Sequence, residues 1–467
     1  MANTYLYRQC DATASSGYSS TWTWSGWVKR SKLGSPEQGI FMNKKDSDNT
    51  ASRFRMSFGS GGNLLWECKD SSNSDDNSFV TNMLFRDTNA WYHIVFSYDS
   101  SQGTEANRLK LWVNGVDIRN DGGGFSSINE ASSNFGTLWS SASKHFVGRT
   151  SNNSGTAHIF DGLMSHVHLT YGTTYTASTF GSTDSTTGEW KINTSPSVTY
   201  GSQGYFLFKN DNSVNDDGSE GNNFTLGGGT LTKTEDCPSS VFATLNPLSN
   251  YWSNQTFSYG NNKIVSPGDR HDFAVSTLGM NVNSGKYYAE FKLISAAGSA
   301  HCVVGISDHH YMGNNEELGQ ETYSIAYVNG GTLRSSNTDV ATGVGTYTAG
   351  DIIGVAVDME NLKIYWHKNG TYVNSGVPTS GSTGTGAVSI HNIDTSPNSS
   401  SRGQGNYFFA VGNWHSGASS TWEANFGNGY FGTTAVSSAG TNASNNGIFE
   451  YDVPAGYTAL STKGLNL

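Results

Sequence analysis

The sequence predicts an all-β chain: two antiparallel β-sandwiches joined by a turn-rich connector. Three observations point there. Short runs with strand-type alternation recur through the 467 residues, separated by Gly, Asn, Asp and Ser. Only 14% of residues are charged, whereas 12% are aromatic and 56 are glycine; helices favour Ala, Leu, Glu and Lys instead. Residues 350–370, GDIIGVAVDMENLKIYWHKNG, read as one hairpin, with two alternating runs about a polar turn and a closing Asn369-Gly370. One face of that hairpin is expected to be packed and the other wet. LKLWVNG at 109–115 repeats the idea in shorter form.

Residues 1–180 hold the first series of strand signals: TWTWSGWVKR, GIFMNKK, SRFRMSFGS, NLLWECKD, WYHIVFSYD, RLKLWVNGVDI, KHFVGRT and FDGLMSHVHLTYG. Residues 70–77 and 122–134 read as long polar surface loops. Residues 181–280 read as a connector partly packed on the first sandwich, because Tyr205, Phe206, Leu207, Phe208 and Phe224 need burial. The second sandwich spans 281–435, with GKYYAEFKLIS, CVVGISDHHYM, YSIAYVNGG, the hairpin, YFFAVGN and TWEANFGN in series, and 436–467 form a C-terminal tail.

A net charge of −11 without clustered Lys and Arg argues against nucleic acid as a partner. The one dense basic run, Lys29, Arg30 and Lys32 with Lys44-Lys45 beyond, reads as a solvated face. No stretch approaches the roughly 20 apolar residues of a membrane helix, so no membrane insertion is expected. The start, MANTYLYRQC, shows no apolar leader, and synthesis in a cytoplasm is expected. Cys10, Cys68, Cys237 and Cys302 lie at neither metal nor redox spacing and read as buried free thiols.

Several of these segments resemble known families. TWSGWVKR, WYHIVFSYD, LKLWVNG, FVGR at 146–149 and FDGLMSHVHL resemble the laminin-G-like, concanavalin A-like jelly roll. GKYYAEFKL, VVGIS, the 350–370 hairpin and FFAVGN resemble the SPRY domain, also a β-sandwich. That resemblance implies binding through loops at one end of the sandwich. It makes loops 309–317, 330–337 and 413–420 the candidates, with His309, His310, Tyr311, Asn314, Trp414 and His415 as the ligand- or partner-binding residues. The ending PAGYTALSTKGLNL, together with DGLMSHVHL, FGSTDSTTGEW, GNNFTL and FATLNP, resembles segments of tailed-bacteriophage proteins. The whole set resembles a phage virion protein. It implies a structural or adhesive component (capsid decoration, head fibre or tail-fibre-like protein), assembled in the host cytoplasm and exposed on the particle exterior. Its implied partners are other virion proteins and host-surface glycans, and a homo-oligomer is expected. The alternative is a carbohydrate-binding lectin module, and behind it a polysaccharide-degrading sandwich enzyme.

No catalytic residue is expected. A sandwich glycosidase needs two carboxylates on one strand, and the nearest approach to E-x-D-x-x-E, Glu450-Tyr451-Asp452, lacks its last acid. A sialidase-type Asp box is approached by Ser182, Asp184 and Trp190, with Gly188 two residues late. His166 and His168 share a strand face by period two, opposite Leu163, Val167 and Leu169, and read as wet-face residues rather than metal ligands. Calcium is the one ion the oxygen-rich loops could hold, at Asp46 and Asp48, Asp75 and Asp76, or Asp216 and Asp217. No other cofactor is expected. Trp22, Trp24, Trp66, Trp91, Trp112, Trp252, Trp366, Trp414 and Trp422 are mostly core, with the remainder available as sugar-stacking platforms.

Overall fold

The computed structural model describes residues 3–10, 18–34, 36–45, 53–69, 75–140, 142–151, 157–249, 254–268, 272–297, 301–308, 317–320, 323–392, 405–413 and 418–466. The chain divides into two compact units, Met1–Lys233 and Thr234–Leu467. Both are antiparallel β-sandwiches. Among the described residues no helix is long and apolar enough to cross a membrane.

In the first unit an eight-stranded sheet faces a six-stranded one. The larger sheet runs Phe125–Asn129, Asp75–Leu84, Asn63–Lys69, Arg53–Phe58, Gln38–Lys45, Ser143–Val147, Tyr5–Gln9 and Thr225–Gly228. The smaller runs Val116–Asp117, Leu109–Val113, Trp91–Asp99, Thr21–Arg30, Gly162–Tyr171 and Tyr205–Leu207. Alternation puts Trp22 and Trp24 inward from the strand Thr21–Arg30, and both are fully buried. Trp22 is the hub of the core. Its ring stacks on Tyr98 at 5.5 Å and Phe54 at 5.3 Å and meets Phe96 edge-on at 5.4 Å. Such pairs add to the area the rings already bury.

Two expected loops contain strands. Phe125–Asn129 pairs with Asp75–Leu84, so 122–134 supplies an edge strand and 75–77 belong to its neighbour. Polar side chains disguised the first of them, because an edge strand is held by main-chain bonds and keeps one face wet. The basic run is also corrected: Lys29 and Arg30 are buried. The Arg30 guanidinium lies 4.5 Å from the Phe58 ring and donates to the Phe85 carbonyl at 2.6 Å. Lys29 Nζ donates to Asn89 at 3.0 Å. Cys10, Cys68 and Cys302 are buried, and Cys237 is half-buried.

In the second unit the strand Lys286–Ala296 lies between Ile352–Asp358 and Ser420–Asn425. The hairpin forms as its sequence predicts. Ile352–Asp358 pairs with Lys363–Lys368, and Asn369 and Gly370 take the positive φ values of 48° and 84° that a tight turn demands. The facing sheet runs Asp272–Val275, Asn406–Asn413, Cys302–Ser307, Ser324–Val328, Thr332–Ser335 and Thr338–Thr342. Residues 330–337 thus contain a strand, not only a loop.

The hairpin differs from expectation on its outer face, which is buried too. Every residue of Ile352–Asp358 is buried. Phe449, Val453, Tyr457 and Ala459 from the C-terminal segment pack there on Tyr288, Ala356 and Tyr365. Thr458–Ala459 adds a short parallel strand beside Tyr287 and Tyr288. The PAGYTAL ending is therefore part of the sandwich wall. Gly354 makes room for this arrangement, since a Cβ there would lie 1.9 Å from Nε2 of His367. Gly354→Ala is expected to destabilise the second unit by about 1–3 kcal/mol through overpacking. Chemical denaturation read by the unit's own probes should show that loss and an unchanged first unit.

Candidate functional site

The six residues expected to touch a partner, His309, His310, Tyr311, Asn314, Trp414 and His415, lie outside the described residues. So do Asp46, Asp48 and Trp252, and the side chains of Asp75 and Asp76. The strands that carry the loops are described, and their register sorts the strand ends. Cys302 pairs with Asn413, and Ser307 pairs with Phe408 and Ser324. Asn413 therefore lies at the end where Cys302–Ser307 begins, and Ser307 lies at the opposite end. Residues 329–331 turn at the first end, because Val328 pairs with Thr332. Asn413 and the turn at 329–331 thus share one end of the sheet, and Ser307 and the turn at 336–337 share the other. Antiparallel neighbours reverse at each turn, so sequence order alone does not assign loops to ends.

At the first end a polar groove opens, lined by His301, Val328, Asn329, Gly330, Thr332, Arg334 and Asp339. Alternation aims Tyr327 and Leu333 into the core and leaves Val328, Thr332 and Arg334 on the outer face. The Arg334 guanidinium also donates to Asn337. The lining offers a cation, a carboxylate, an amide, a hydroxyl and an imidazole, with one apolar side chain.

The densest polar chemistry in the second unit is buried. Gly370 N–H donates to Nδ1 of His367 at 3.0 Å. The other ring nitrogen, Nε2, therefore carries the proton and donates to the Tyr288 hydroxyl at 2.6 Å. That hydroxyl donates in turn to Glu290 at 3.0 Å. Glu290 also accepts the backbone N–H groups of Glu450 and Tyr451, each at 2.9 Å, and the Asn425 amide at 3.2 Å. Burial pushes the Glu290 carboxyl up to about 7, against the pull of these donors. Burial also holds the His367 imidazole down to about 4. With Tyr288 and Glu290 almost fully enclosed, the chain fastens the C-terminal segment to the sheet. Sequence reading missed it, because alternation places Tyr288, Glu290 and His367 on the face expected to be wet.

The first unit has a matching outer layer. Trp27 points away from the core yet is 96% covered, being 4% exposed. It stacks on His93 at 4.8 Å, and His93 stacks on Trp190 at 6.0 Å. Trp190 Nε1 can only donate, so Nδ1 of His93 accepts at 2.9 Å, and Nε2–H donates to Ser25 at 2.9 Å. Trp190 comes from the hairpin Gly181–Thr183 with Trp190–Ile192. A Cβ at Gly115 or Gly181 would lie 2.4 Å or 2.7 Å from its ring. Asp184 of the same hairpin caps Thr186 and Thr187 N–H at 2.9 Å and holds Lys191 at 2.7 Å. The Asp-box-like residues are thus turn chemistry.

The two histidines of the strand Gly162–Tyr171 share the outer face as expected, both lying against the Phe206 ring at 5.6 Å and 3.9 Å. A bulge between Ser165 and His168, with φ of +47° at His166, breaks the period. His168 is buried, stacked on Phe206 at 3.9 Å and bonded to Tyr200 at 3.0 Å, rather than wet. Leu163 leaves the core face, which Met164, Val167 and Leu169 occupy. The remaining carboxylates singled out from sequence are also employed. Asp216 caps the N–H groups of Phe206, Gly218 and Asn222. Glu450 accepts from Ser437, and Asp452 from Thr441. Among the described residues no three His, Cys, Asp or Glu side chains cluster for a metal. Each described tryptophan is buried or half-buried, none a bare platform.

Two family models match the chain. Residues 6–170 match the concanavalin A-like lectin/glucanases superfamily, and residues 286–391 match the SPRY domain. No curated protein matches. Among solved structures, the SPRY domain of human HERC1 is 15% identical, covering 35% of this chain and 87% of its own, with a TM-score of 0.26. A SAP-like pentraxin from Limulus polyphemus is 14% identical, covering 36% and 69%, with a TM-score of 0.25. The Ruminococcus gnavus IT-sialidase CBM40, bound to α2,3-sialyllactose, is 14% identical, covering 32% and 74%, with a TM-score of 0.24. The chain thus carries an N-terminal concanavalin A-like domain and a C-terminal SPRY domain.

The buried imidazoles set a pH dependence. Burial holds His93 down to about 3 and keeps His145 and His168 well below the ordinary imidazole range. An imidazole that titrates lower when folded takes up its proton preferentially on unfolding. Its contribution is complete above about pH 6.5 and is lost as pH falls toward 3. For His93 alone the loss between pH 7 and 5 is about 2 kcal/mol. In the second unit, Glu290 opposes His367. A carboxyl raised on folding stabilises most below its unfolded value of about 4.5 and loses that contribution as pH rises through 7. Calorimetry at pH 7 and 5 should show the first unit's transition falling further than the second's, with Gly354→Ala marking which is which. Equal shifts would contradict these assignments.

Proposed function

We propose that this chain is a non-enzymatic structural and adhesive component of a bacteriophage particle. It serves as a capsid decoration, head fibre or tail-fibre-like protein, exposed on the exterior, and it binds other virion proteins and host-surface glycans through its sandwich surfaces. The observation that carries the reading is the polar groove at His301, Asn329, Arg334 and Asp339, at one end of a SPRY-type sandwich. Its lining carries hydrogen-bonding side chains, and the carboxylates Glu290, Glu450, Asp452, Asp184 and Asp216 are employed in holding the fold.

The segments that resemble phage proteins support the particle assignment in a specific way. GSTDSTTGEW forms the hairpin that covers the first unit's outer face. FATLNP sends Phe242 under the C-terminal segment and Ala243 and Leu245 into the main core. PAGYTAL supplies Tyr457, Ala459 and Leu460. These pieces cover the outer sheet faces and fill the cores of the two sandwiches. The lectin reading is favoured by the concanavalin A-like match over 6–170 and is compatible with a place on the particle.

A protein census of purified particles from the source virus tests the assignment. The chain should be present in a fixed copy number per particle, and its absence from particles that still infect would overturn the proposal. For the groove, Arg334→Ala combined with Asp339→Ala should abolish whatever binding the second unit shows on a glycan or virion-protein array, with the melting point unchanged.

A further inference from the structure

The outer face of the first unit's eight-stranded sheet carries a line of three rings with a cation at each end. The strand Tyr5–Gln9 pairs with Ser143–Val147, with Tyr7 opposite Phe146. Alternation buries Leu6 and Arg8 and turns Tyr5 and Tyr7 outward. Phe146 lies between the two tyrosines, its ring centroid 6.3 Å from each. Lys144 Nζ sits 5.9 Å from the Tyr7 ring at one end. At the other, the Arg149 guanidinium lies 4.6 Å from the Tyr5 ring and 5.5 Å from Phe146. The Tyr5 ring lies flat on Gly227, where a Cβ would come within 2.1 Å of it.

Arg149 is the telling member. Its Nε is buried with no hydrogen-bond partner. The charged arginines nearby on the same face, Arg53 and Arg55, are paired with Glu67 and Glu37. A guanidinium laid on two rings, with no carboxylate against it among the described residues, keeps its fork of donors for an incoming anion. Tyr5 is covered by Gly227 and Arg149, and the half-buried Tyr7 and Phe146 rings offer apolar faces of the kind that sugar C–H groups cover. The whole chain carries a net charge of −11, so an anionic ligand would be steered to this cationic line and away from most of the surface.

We infer that Lys144, Tyr7, Phe146, Tyr5 and Arg149 form a binding site for an acidic saccharide, with a sugar carboxylate on Arg149 and pyranose faces on the Tyr7 and Phe146 rings. The site is separate from the second unit's groove and shares with the proposed function only that the chain binds glycans. It names their class: uronate- or sialate-containing chains.

Titration calorimetry with oligogalacturonate, its fully methyl-esterified form and oligosialic acid tests the site. At least one acidic oligosaccharide should bind, more weakly as salt is raised. The ester should bind roughly tenfold or more weakly, since it keeps the sugar faces and loses the charge. Arg149→Gln should cost roughly tenfold to a hundredfold in affinity. If that variant melts lower, Lys144→Gln, at the other end of the line, should still weaken binding and flatten its salt dependence. The arm that binds, uronate or sialate, identifies the source. No binding by either acidic chain, equal binding of acid and ester, or wild-type affinity in both variants would overturn the inference. The particle census stands or falls independently of these outcomes.

Discussion

Each unit covers a sheet face that a two-layer sandwich would leave wet, and in the second unit one buried carboxylate fastens the cover. Glu290 takes two consecutive main-chain N–H groups, from Glu450 and Tyr451, and so pins a segment about 160 residues away in sequence. A buried carboxylate is costly unless its oxygens are satisfied. Here the satisfaction comes from the cover itself and from the Tyr288–His367 chain beneath it. Lift the cover and Glu290 loses main-chain donors, while Tyr288, Ala356 and Tyr365 lose their apolar lid. The polar bond and the apolar contact therefore form together or not at all.

The first unit solves the same problem with neutral groups. His93 links Ser25 on the sheet to Trp190 on the cover, and His168 links its strand to Tyr200. The two covers differ in chemistry, and acid acts on them differently: buried neutral imidazoles lose stability as pH falls, whereas a buried carboxyl with a raised value gains. The covered faces leave the ends and outer surfaces of the sandwiches for recognition. That is where the groove of His301 and Arg334 lies, and where Arg149 rests on its rings.

Much of this was legible from the residues. Alternation places Trp22, Trp24, Phe54, Met56, Val355 and Trp366 in the cores, where they lie. The Asn369-Gly370 turn formed where its dipeptide demands positive φ. What escaped was whatever depends on a third layer. Period two says that Glu290 and Tyr288 face away from Phe291, but not that residues 449–459 will cover them. Arg30 escaped for another reason: it continues the inward face of Trp22, Trp24 and Val28 and rests on Phe58, where a basic run is not expected. The bulge at His166 shifts the strand face by one, and no local residue announces it. Strand ends escape differently: which of them lie together follows from pairing across the sheet, as Asn413 beside Cys302 and Phe408 beside Ser307 show.

The central claim is that the C-terminal cover is part of the second unit's cooperative fold, held by Glu290. Native-state hydrogen exchange at the amides of Glu450 and Tyr451 tests it most directly. The account predicts that both exchange only on global unfolding of the unit, as slowly as amides of the strand Lys286–Ala296. Exchange at the rate of an exposed loop, while that strand stays protected, would contradict it.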